Sequence, residues 1–383
     1  IVRVKPVFTK HPTEAKRWAA LGLHREIVRL MRKRDAVETS YEQSFCNRSL
    51  QAVLERLWLT GEIFSRKPEV ENELENLSYY LKQVFPVVFT NLDDRLRHAW
   101  RTVWPESKPL MDNELPSLVF GSWVGGDRDG HPKVTAEVTH NTLNTLNKGA
   151  REVIGTRLHE LGQRLAFSRA GLEAPQALLK RLKEWGIPED TAEPWKVFVQ
   201  GVAQRLHEGV ALLRENLELL IKSLEDAGAL RTMDLYVRPV LRLVNSFGLH
   251  LARLDVRQNS AAYDLALSQM MEAAGIRDGQ NFGTWSLEKK LLFLNQELSH
   301  PRPMTHTSMA LPPEAEEVRA TFSELVDQID KKGAEGLGCL VVSMTRTVAD
   351  LLVVYVLGKE VGLTQMIDGK MTCALPVVPL FET

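Results

Sequence analysis

The first candidate for chemistry is a histidine between a predicted strand and a predicted helix. His11 follows the apolar run Val4–Phe8 and precedes Thr13, a residue type that suits the start of a helix. The carboxyl end of a parallel strand is where barrel active sites form, and a helix N-terminus there favours an anion. Because histidine titrates near neutral pH, His11 could transfer protons at such a site. The alternative is a turn residue bonded to a backbone carbonyl.

A glycine-rich loop is the second candidate. Residues 120–132 read FGSWVGGDRDGHP, with Arg128 between Asp127 and Asp129. Glycines let a backbone approach a ligand closely, and an arginine can bind a carboxylate or phosphate through two N–H groups. The alternative is a turn in which the two aspartates cap backbone amides and hold Arg128 in an ion pair. The glycine spacing matches neither a dinucleotide-binding fingerprint nor a P-loop.

A third candidate lies at the end of another apolar run. The apolar alternation of Leu249–Val256 ends in Asp255, Arg257 and Gln258. An arginine at the carboxyl end of a strand suits oxyanion binding. The alternative is a buried pair of Asp255 with Arg253 or Arg257 that only orders the strand.

A fourth candidate is the acid Glu382. It follows the apolar run Leu375–Phe381, so that its carboxylate could bind a hard cation at a strand end. The alternative is an acid that faces solvent.

The elements that must position these residues are short apolar runs between long helical patterns. The predicted strands are Val4–Phe8, Leu118–Trp123, Leu249–Val256, Cys339–Ser343 and Leu375–Phe381. Helical periodicity covers Thr13–Arg34, Arg48–Phe64, Val70–Phe85, Asn91–Trp104, Ala136–Ala166, Ala174–Trp185, Trp195–Ala227, Asn259–Ala274, Pro313–Lys331 and Ala349–Val361. This order predicts a strongly helix-rich α/β fold with parallel strands. Five strands would be an incomplete set for an eight-stranded barrel.

Composition excludes several classes of partner and site. The 48 basic and 49 acidic residues give a net charge of −1, so charge offers no reason to expect nucleic acid or an anionic membrane as partner. Cys46, Cys339 and Cys373 are far apart and form no CxxC pair, which predicts neither a zinc site nor a disulfide framework and favours the cytoplasm. No apolar run reaches the ~20 residues of a membrane span. The missing initial Met and the abrupt end at Thr383 indicate a fragment.

Taken together, the candidate segments resemble the phosphoenolpyruvate carboxylase family. Five motifs of that family have counterparts here in the same order: TKHPTE at 9–14, GSWVGGDRDGHP at 121–132, LDVRQ at 254–258, SMTRTVADLL at 343–352 and VVPLFET at 377–383. Within the first two motifs, three residues depart from the family pattern. Lys10 replaces alanine, Val124 replaces methionine and His131 replaces asparagine. Lys10 and His131 put two extra basic groups beside expected site residues.

The resemblance implies one partial TIM-like (β/α)8 barrel domain over residues 1–383, with long helical insertions and without the C-terminal part of the family chain. It implies a cytoplasmic homotetramer that uses Mg²⁺ or Mn²⁺ to convert phosphoenolpyruvate and bicarbonate into oxaloacetate and phosphate.

The resemblance also implies roles for individual residues. His11 would be the catalytic histidine, Arg257 would bind the phosphoenolpyruvate or phosphate oxyanion, and Glu382 would be a metal ligand. The pocket near the bicarbonate-derived group would be lined by Trp123, Gly125, Gly126, Arg128 and Asp129. The family's second metal carboxylate, catalytic lysine and mobile HGRGG loop have no match here, which predicts that the isolated fragment is inactive. The alternative is a non-catalytic barrel half that needs a separate C-terminal chain.

Overall fold

The computed structural model describes residues 2–9, 18–60, 69–129, 133–168, 173–188 and 190–381. The chain forms two compact units. One comprises Thr9–Tyr80, and the other comprises Ile1–Phe8 together with Leu81–Thr383.

The smaller unit is helical. It contains α1 (Trp18–Ala36), α2 (Ser40–Thr60) and α3 (Val70–Tyr79). Thr39 starts α2, since its hydroxyl accepts a hydrogen bond from the Glu42 backbone N–H and donates one to the Glu42 carboxylate. Leu23, Leu30 and Val53 form the buried contact between α1 and α2.

The larger unit contains all the strands of the described part. They are β1 (Arg3–Val4), β2 (Val7–Phe8), β3 (Ser117–Leu118), β4 (Gly121–Ser122), β5 (Arg253–Asn259), β6 (Leu337–Ser343), β7 (Thr364–Ile367), β8 (Lys370–Cys373) and β9 (Val377–Pro379). Five of them form a parallel sheet in the order β2-β4-β5-β6-β9. β1 pairs with β3 in parallel, and β7 pairs with β8 as an antiparallel hairpin.

Helices of the larger unit connect these strands. They are α4 (Phe85–Val103), α5 (Ala136–Arg164), α6 (Gln176–Glu184), α7 (Pro194–Gln204), α8 (Val210–Asp226), α9 (Leu230–Thr232), α10 (Arg238–Phe247), α11 (Ser260–Ala273), α12 (Leu287–Leu298), α13 (Pro313–Lys332) and α14 (Val348–Lys359). π-helical turns precede α4 at Tyr80–Val84 and α10 at Met233–Val237. Side-chain caps define several helix starts: the Asn259 side chain accepts from the Ala261 N–H of α11, and Ser286 from the Lys289 N–H of α12.

Two apolar cores hold the larger unit together. The first surrounds the centre of the sheet, where Leu254, Val256, Leu340 and Val342 pack with apolar residues of α11, α13 and α14. The second lies among α5 to α10 and includes the fully buried ring of Trp195. The first core fixes β5 and β6, and so fixes the positions of the residues at their carboxyl ends.

The sequence predictions of a helix-rich α/β fold and of parallel strands are confirmed. Two of the predicted strands are interrupted: Val4–Phe8 becomes β1 and β2, and Leu118–Trp123 becomes β3 and β4. The interruption follows Pro6, which has no N–H to donate. Its carbonyl still accepts from the Gly121 N–H at 2.9 Å, so the register continues across the break.

Other boundaries differ more. The helix predicted over Trp195–Ala227 is two helices, α7 and α8, because Gly209 has a φ of +107° between them. The β7–β8 hairpin, α10 and α12 were not predicted from the sequence. No helix of the described part is both long and apolar enough to cross a membrane.

Candidate active site

The carboxyl ends of five parallel strands meet at one edge of the sheet. β2, β4, β5, β6 and β9 end there at Phe8, Ser122, Asn259, Ser343 and Pro379. In the sequence, His11 comes three residues after Phe8, and Glu382 comes three residues after Pro379. Both lie outside the described residues. Lys10, Gly130 and His131 also lie outside them. The described part of the candidate site is therefore the loop after β4 and the ends of β5 and β6.

The loop after β4 turns tightly and then runs beside β5. The Trp123 carbonyl accepts hydrogen bonds from the N–H groups of Gly126 and Asp127, each at 2.9 Å. The Arg257 N–H then donates to the Gly126 carbonyl, and the Arg128 N–H donates to the Arg257 carbonyl, both at 2.9 Å. Backbone pairing thus continues past the end of β4 and fixes the loop to β5.

The two central glycines are required by packing against protein. Gly125 has a φ of +79°, and a Cβ there would overlap the hydroxyl of Thr142 on α5. A Cβ on Gly126 would overlap the carbonyl oxygen of Asp255. Within the described part, these glycines allow the loop backbone to pack closely against α5 and β5.

The guanidinium of Arg257 is held on two sides. Its Nε donates to Asp127 Oδ1 at 2.8 Å, and its Nη2 lies 3.7 Å from Asp129 Oδ2. Its Cζ lies 4.7 Å from the centroid of the Trp123 ring, a cation–π contact. The side chain is only 16% exposed. A planar cation fixed in this way is oriented to bind an oxyanion.

Asp255 does not pair with either arginine of β5. Its Oδ1 lies 3.1 Å from Lys5 Nζ and accepts from the Cys339 N–H at 2.9 Å. The ion pair considered from the sequence thus has a different partner, and Arg257 pairs with Asp127.

Asp129 links the loop to β6. Its Oδ2 accepts a hydrogen bond from the hydroxyl of Ser343 at 2.7 Å, and its N–H donates to Asp127 Oδ1. Ser343 is fully buried at the last position of β6. Sequence reasoning did not single out Ser343. Its signals were a small polar side chain at the end of an apolar strand and its place as the first residue of the SMTRTVADLL motif.

Arg128 points to different partners from those of Arg257. Its Nη2 donates to the Thr139 hydroxyl at 2.8 Å, and its Nε lies 3.8 Å from Glu317 Oε1. Burial lowers the pKa of this guanidinium, and Tyr263 and Glu317 oppose the shift. Thr139 in turn donates to the Gly125 carbonyl at 2.8 Å, so Arg128 supports the loop through α5.

The segment after β6 is also held rigidly. Met344 has a φ of +53°, and its carbonyl accepts a hydrogen bond from the Ser260 hydroxyl at the start of α11. The carboxylate of Asp350 accepts from the N–H groups of Arg346 and Thr347, both at 2.8 Å. Burial alone would raise the pKa of Asp350, but these hydrogen bonds and the guanidinium of Arg346 together outweigh burial and lower it.

A metal site is not formed by the described residues alone. Across the ranges given above, no three His, Cys, Asp or Glu side chains lie close enough together to hold an ion. The carboxylates of Asp127 and Asp129 are engaged by Arg257 and Ser343. Glu382, which the sequence suggested as a metal ligand, lies outside the described residues.

Comparison with known proteins gives a consistent result along the chain. The family model described as phosphoenolpyruvate carboxylase matches residues 1–212 and 202–383. Curated proteins with that name share sequence identity with this chain. The identity is 33% for the protein of Rhodopseudomonas palustris CGA009, 31% for that of Methylorubrum extorquens AM1 and 27% for that of Roseiflexus castenholzii. These alignments cover 99%, 100% and 99% of this chain but only 43%, 44% and 43% of the relatives. The chain therefore spans less than half the length of the relatives it matches.

Proposed function

The chain belongs to the phosphoenolpyruvate carboxylase family, and on that premise we propose that the protein containing it converts phosphoenolpyruvate and bicarbonate into oxaloacetate and phosphate. Because the chain spans about two fifths of its relatives, we further propose that the complete site uses residues outside this segment and that the segment alone is inactive.

The observation that carries the proposal is the fixed guanidinium of Arg257. It lies at the carboxyl end of the central strand β5, paired with Asp127 and in cation–π contact with Trp123. An oxyanion there would meet a cation whose orientation is set before binding, which is the arrangement that stabilises developing negative charge most effectively. We assign Arg257 to the phosphate or carboxylate of phosphoenolpyruvate.

The remaining roles follow the family resemblance. We propose His11 as the proton-transferring residue, since it comes three residues after β2 in the sequence and β2 ends at this edge of the sheet. Trp123 would cover the bound substrate, while Gly125, Gly126 and Asp129 would shape the loop around the bicarbonate-derived group. Arg128 would support this loop from the side of α5.

The metal remains a proposal that rests on one residue. Glu382 would be a ligand of Mg²⁺ or Mn²⁺, which would supply positive charge to the substrate oxygens when bound. The described residues do not make the rest of such a site.

The proposed chemistry needs three contributions from this chain, which are proton transfer, binding of anions and exclusion of water. A bicarbonate oxygen attacks the phosphorus, the bond from phosphorus to the enol oxygen breaks, and carboxyphosphate and the enolate of pyruvate form. His11 takes the proton of carboxyphosphate, which breaks into carbon dioxide and phosphate. The enolate carbon then bonds to carbon dioxide and gives oxaloacetate. Arg257 would hold the anions, and Trp123 would keep out water that could otherwise protonate the enolate to pyruvate.

The proposal extends to the fold of the domain and to its oligomeric state. The parallel sheet, with polar residues at the carboxyl ends of its strands, supports a partial TIM-like (β/α)8 barrel with long helical insertions. We propose residues 1–383 as one partial barrel domain of that family. A homotetramer in the cytoplasm rests on the resemblance alone.

The decisive experiment replaces Arg257 by lysine in the full-length protein. Arg257→Lys keeps the charge but loses the planar group that binds two oxygens, so we expect kcat/KM for phosphoenolpyruvate to fall about a hundredfold or more with an unchanged melting temperature. Arg253→Lys, at the other end of β5, is the matched control. Oxaloacetate is measured by coupled reduction to malate. Normal kinetics in Arg257→Lys would remove Arg257 from the site, and activity of the isolated segment would contradict the proposal that it is incomplete.

A further inference from the structure

The pairing between β5 and β6 contains one extra residue on β6. Leu254 and Val256 of β5 are separated by one residue, whereas their partners on β6 are separated by two. Those partners are Leu337 and Leu340. Gly338–Cys339 therefore lies opposite a single residue of β5. This arrangement is a β-bulge, which is rare between parallel strands, and we call it the β6 bulge.

The β6 bulge changes the face to which the following side chains point. In a regular strand, residues an even number apart share one face of the sheet. Ser343 comes six residues after Leu337, which packs in the apolar core with α11, α13 and α14. Leu340 packs in the same core although it comes three residues after Leu337. The bulge thus reverses the alternation, so that Ser343 lies on the face away from this core, where its hydroxyl donates to Asp129.

The carboxylate of Asp255 is part of the β6 bulge. Its Oδ1 accepts a hydrogen bond from the Cys339 N–H at 2.9 Å. A Cβ on Gly338 would lie 1.8 Å from the same oxygen, so a glycine is needed where the carboxylate enters the bulge. The extra residue of a bulge loses its place in the ladder of backbone hydrogen bonds, and an unpaired buried N–H is costly. Asp255 supplies the acceptor that the bulge requires.

Lys5 holds this carboxylate from the side of β4. Its Nζ lies 3.1 Å from Asp255 Oδ1. The Lys5 side chain reaches Asp255 by crossing β4 at Gly121, where a Cβ would lie 2.7 Å from Lys5 Cε. A glycine therefore stands on each side of the ion pair, Gly121 on β4 and Gly338 on β6, and the absence of their side chains makes room for it.

The β6 bulge is connected to the candidate active site by a short series of contacts. Cys339 comes four residues before Ser343 on β6. The Ser343 hydroxyl donates to Asp129 Oδ2, and the same oxygen lies 3.7 Å from Arg257 Nη2. The orientation of Ser343, which depends on the bulge, thus affects a carboxylate beside the guanidinium that we assign to substrate binding.

We propose that Asp255 is a positioning residue of the candidate active site. It stabilises the β6 bulge, and the bulge directs Ser343 to Asp129 in the loop after β4. The inference rests on the proposed function for its effect on catalysis, whereas the position of the loop is a property of the fold alone. Loss of the Asp255 acceptor would release Ser343 from Asp129 and loosen the loop beside Arg257.

The test measures hydrogen exchange of residues 123–129 by mass spectrometry in the full-length protein, together with the KM for phosphoenolpyruvate. Asp255→Ala removes the acceptor. We expect loop exchange to become at least about tenfold faster, as in Ser343→Ala, and KM to rise severalfold. Asp255→Asn is the conservative control. It keeps Oδ1 for the Cys339 N–H, so both values should stay within about twofold of the parent.

A double variant shows whether Asp255 acts through Ser343. If it does, Asp255→Ala changes little once Ser343→Ala is present. We expect loop exchange and KM of the double variant to stay within about twofold of those of Ser343→Ala alone.

Gly338→Ala tests the bulge from the side of β6, because its Cβ would displace the Asp255 carboxylate. We expect the same faster loop exchange as in Asp255→Ala. Gly283→Ala is the matched control and should leave the exchange unchanged, since nothing lies within 4 Å of its Cβ.

Three results would overturn the proposal. They are loop exchange as slow as in the parent in a folded Asp255→Ala variant, multiplied effects in the double variant, and exchange in Asp255→Asn as fast as in Asp255→Ala. If Asp255→Ala does not fold, loop exchange in Gly338→Ala decides. Absence of oxaloacetate formation by the parent would refute the proposed function but would leave the exchange results unaffected.

Discussion

His250 should make the stability of the folded chain depend on pH in a predictable way. Its side chain is 5% exposed, packs on Gly336, and has no partner for its Nδ1 within the described residues. Burial, together with the smaller effects of the charges of Lys332, Arg151 and Arg253, lowers the pKa of His250 from 6.5 to about 4. The ring is therefore neutral in the folded chain at pH values where it is protonated in the unfolded chain.

The sign and size of the effect follow from the difference in pKa. As pH falls through 6.5, the unfolded chain binds a proton that the folded chain does not bind until about pH 4, so the free energy of unfolding decreases. Between pH 7.5 and pH 5 this loss is about 2 kcal/mol, and it approaches about 3 kcal/mol below pH 4. Above pH 7.5 the contribution of His250 is fully present.

The perturbation is His250→Phe, which keeps an aromatic ring and cannot take up the proton. Urea unfolding gives the free energy of unfolding at pH 7.5 and at pH 5. We expect its decrease between these pH values to be about 2 kcal/mol smaller in the variant than in the parent. His207→Gln is the control, because the His207 side chain is 72% exposed and its loss should leave the pH dependence unchanged. Equal losses in the parent and in His250→Phe would refute the reasoning, as would NMR evidence that the His250 ring protonates above pH 6.

Three further predictions concern the loop and its supports. Asp127→Asn removes the ionised partner of Arg257 but keeps the shape of the side chain, so kcat/KM for phosphoenolpyruvate should fall about tenfold. An unchanged value would show that the pair does not position Arg257. Ser343→Ala removes the hydrogen bond to Asp129, which is worth about 1.5–3 kcal/mol. The KM for phosphoenolpyruvate should therefore rise severalfold. A lower melting temperature with a normal KM would show that Ser343 has only a structural role. Gly126→Ala places a Cβ against the Asp255 carbonyl and should lower the melting temperature by more than about 5 °C. Gly22→Ala is the control and should not lower it, because Gly22 has open space around it. Equal melting temperatures for the two variants would contradict the close contact between Gly126 and Asp255.

Much of the sheet could be predicted because its strands are short, apolar and separated by long helical patterns. β6 was found because it is largely buried and reads as an apolar run, whereas β5 was found from alternating polarity, and only Arg253–Val256 of it lies within the predicted strand. The β7–β8 hairpin was missed because only Thr364 among its residues is buried, so that it lacks an apolar run. The break at Gly209 was missed because helical periodicity continues on both sides of it.

The candidate site was predicted only as far as single segments allow. The sequence pointed to Arg257 and to the loop after β4, but it could not tell which aspartate pairs with which cation. Asp255 lies two residues from Arg257 on the same strand yet pairs with Lys5, and Asp127 from a different segment holds Arg257. Such pairings depend on which strands are neighbours, and that order is a property of the folded sheet.

The long separation between paired strands has a consequence for how the chain folds. Val7 pairs with Gly121, and Gly121 pairs with Arg253, so each pairing closes a loop of more than a hundred residues. Loop closure of that size is slow, whereas the helices within the intervening segments form from local contacts. We therefore expect the helices to form first and the edge strand β2 to join the sheet late. During synthesis β2 leaves the ribosome early and must wait for β4, with a strand edge open to incorrect pairing. The segment that leads to His11 is thus the part of the sheet for which a chaperone would matter most.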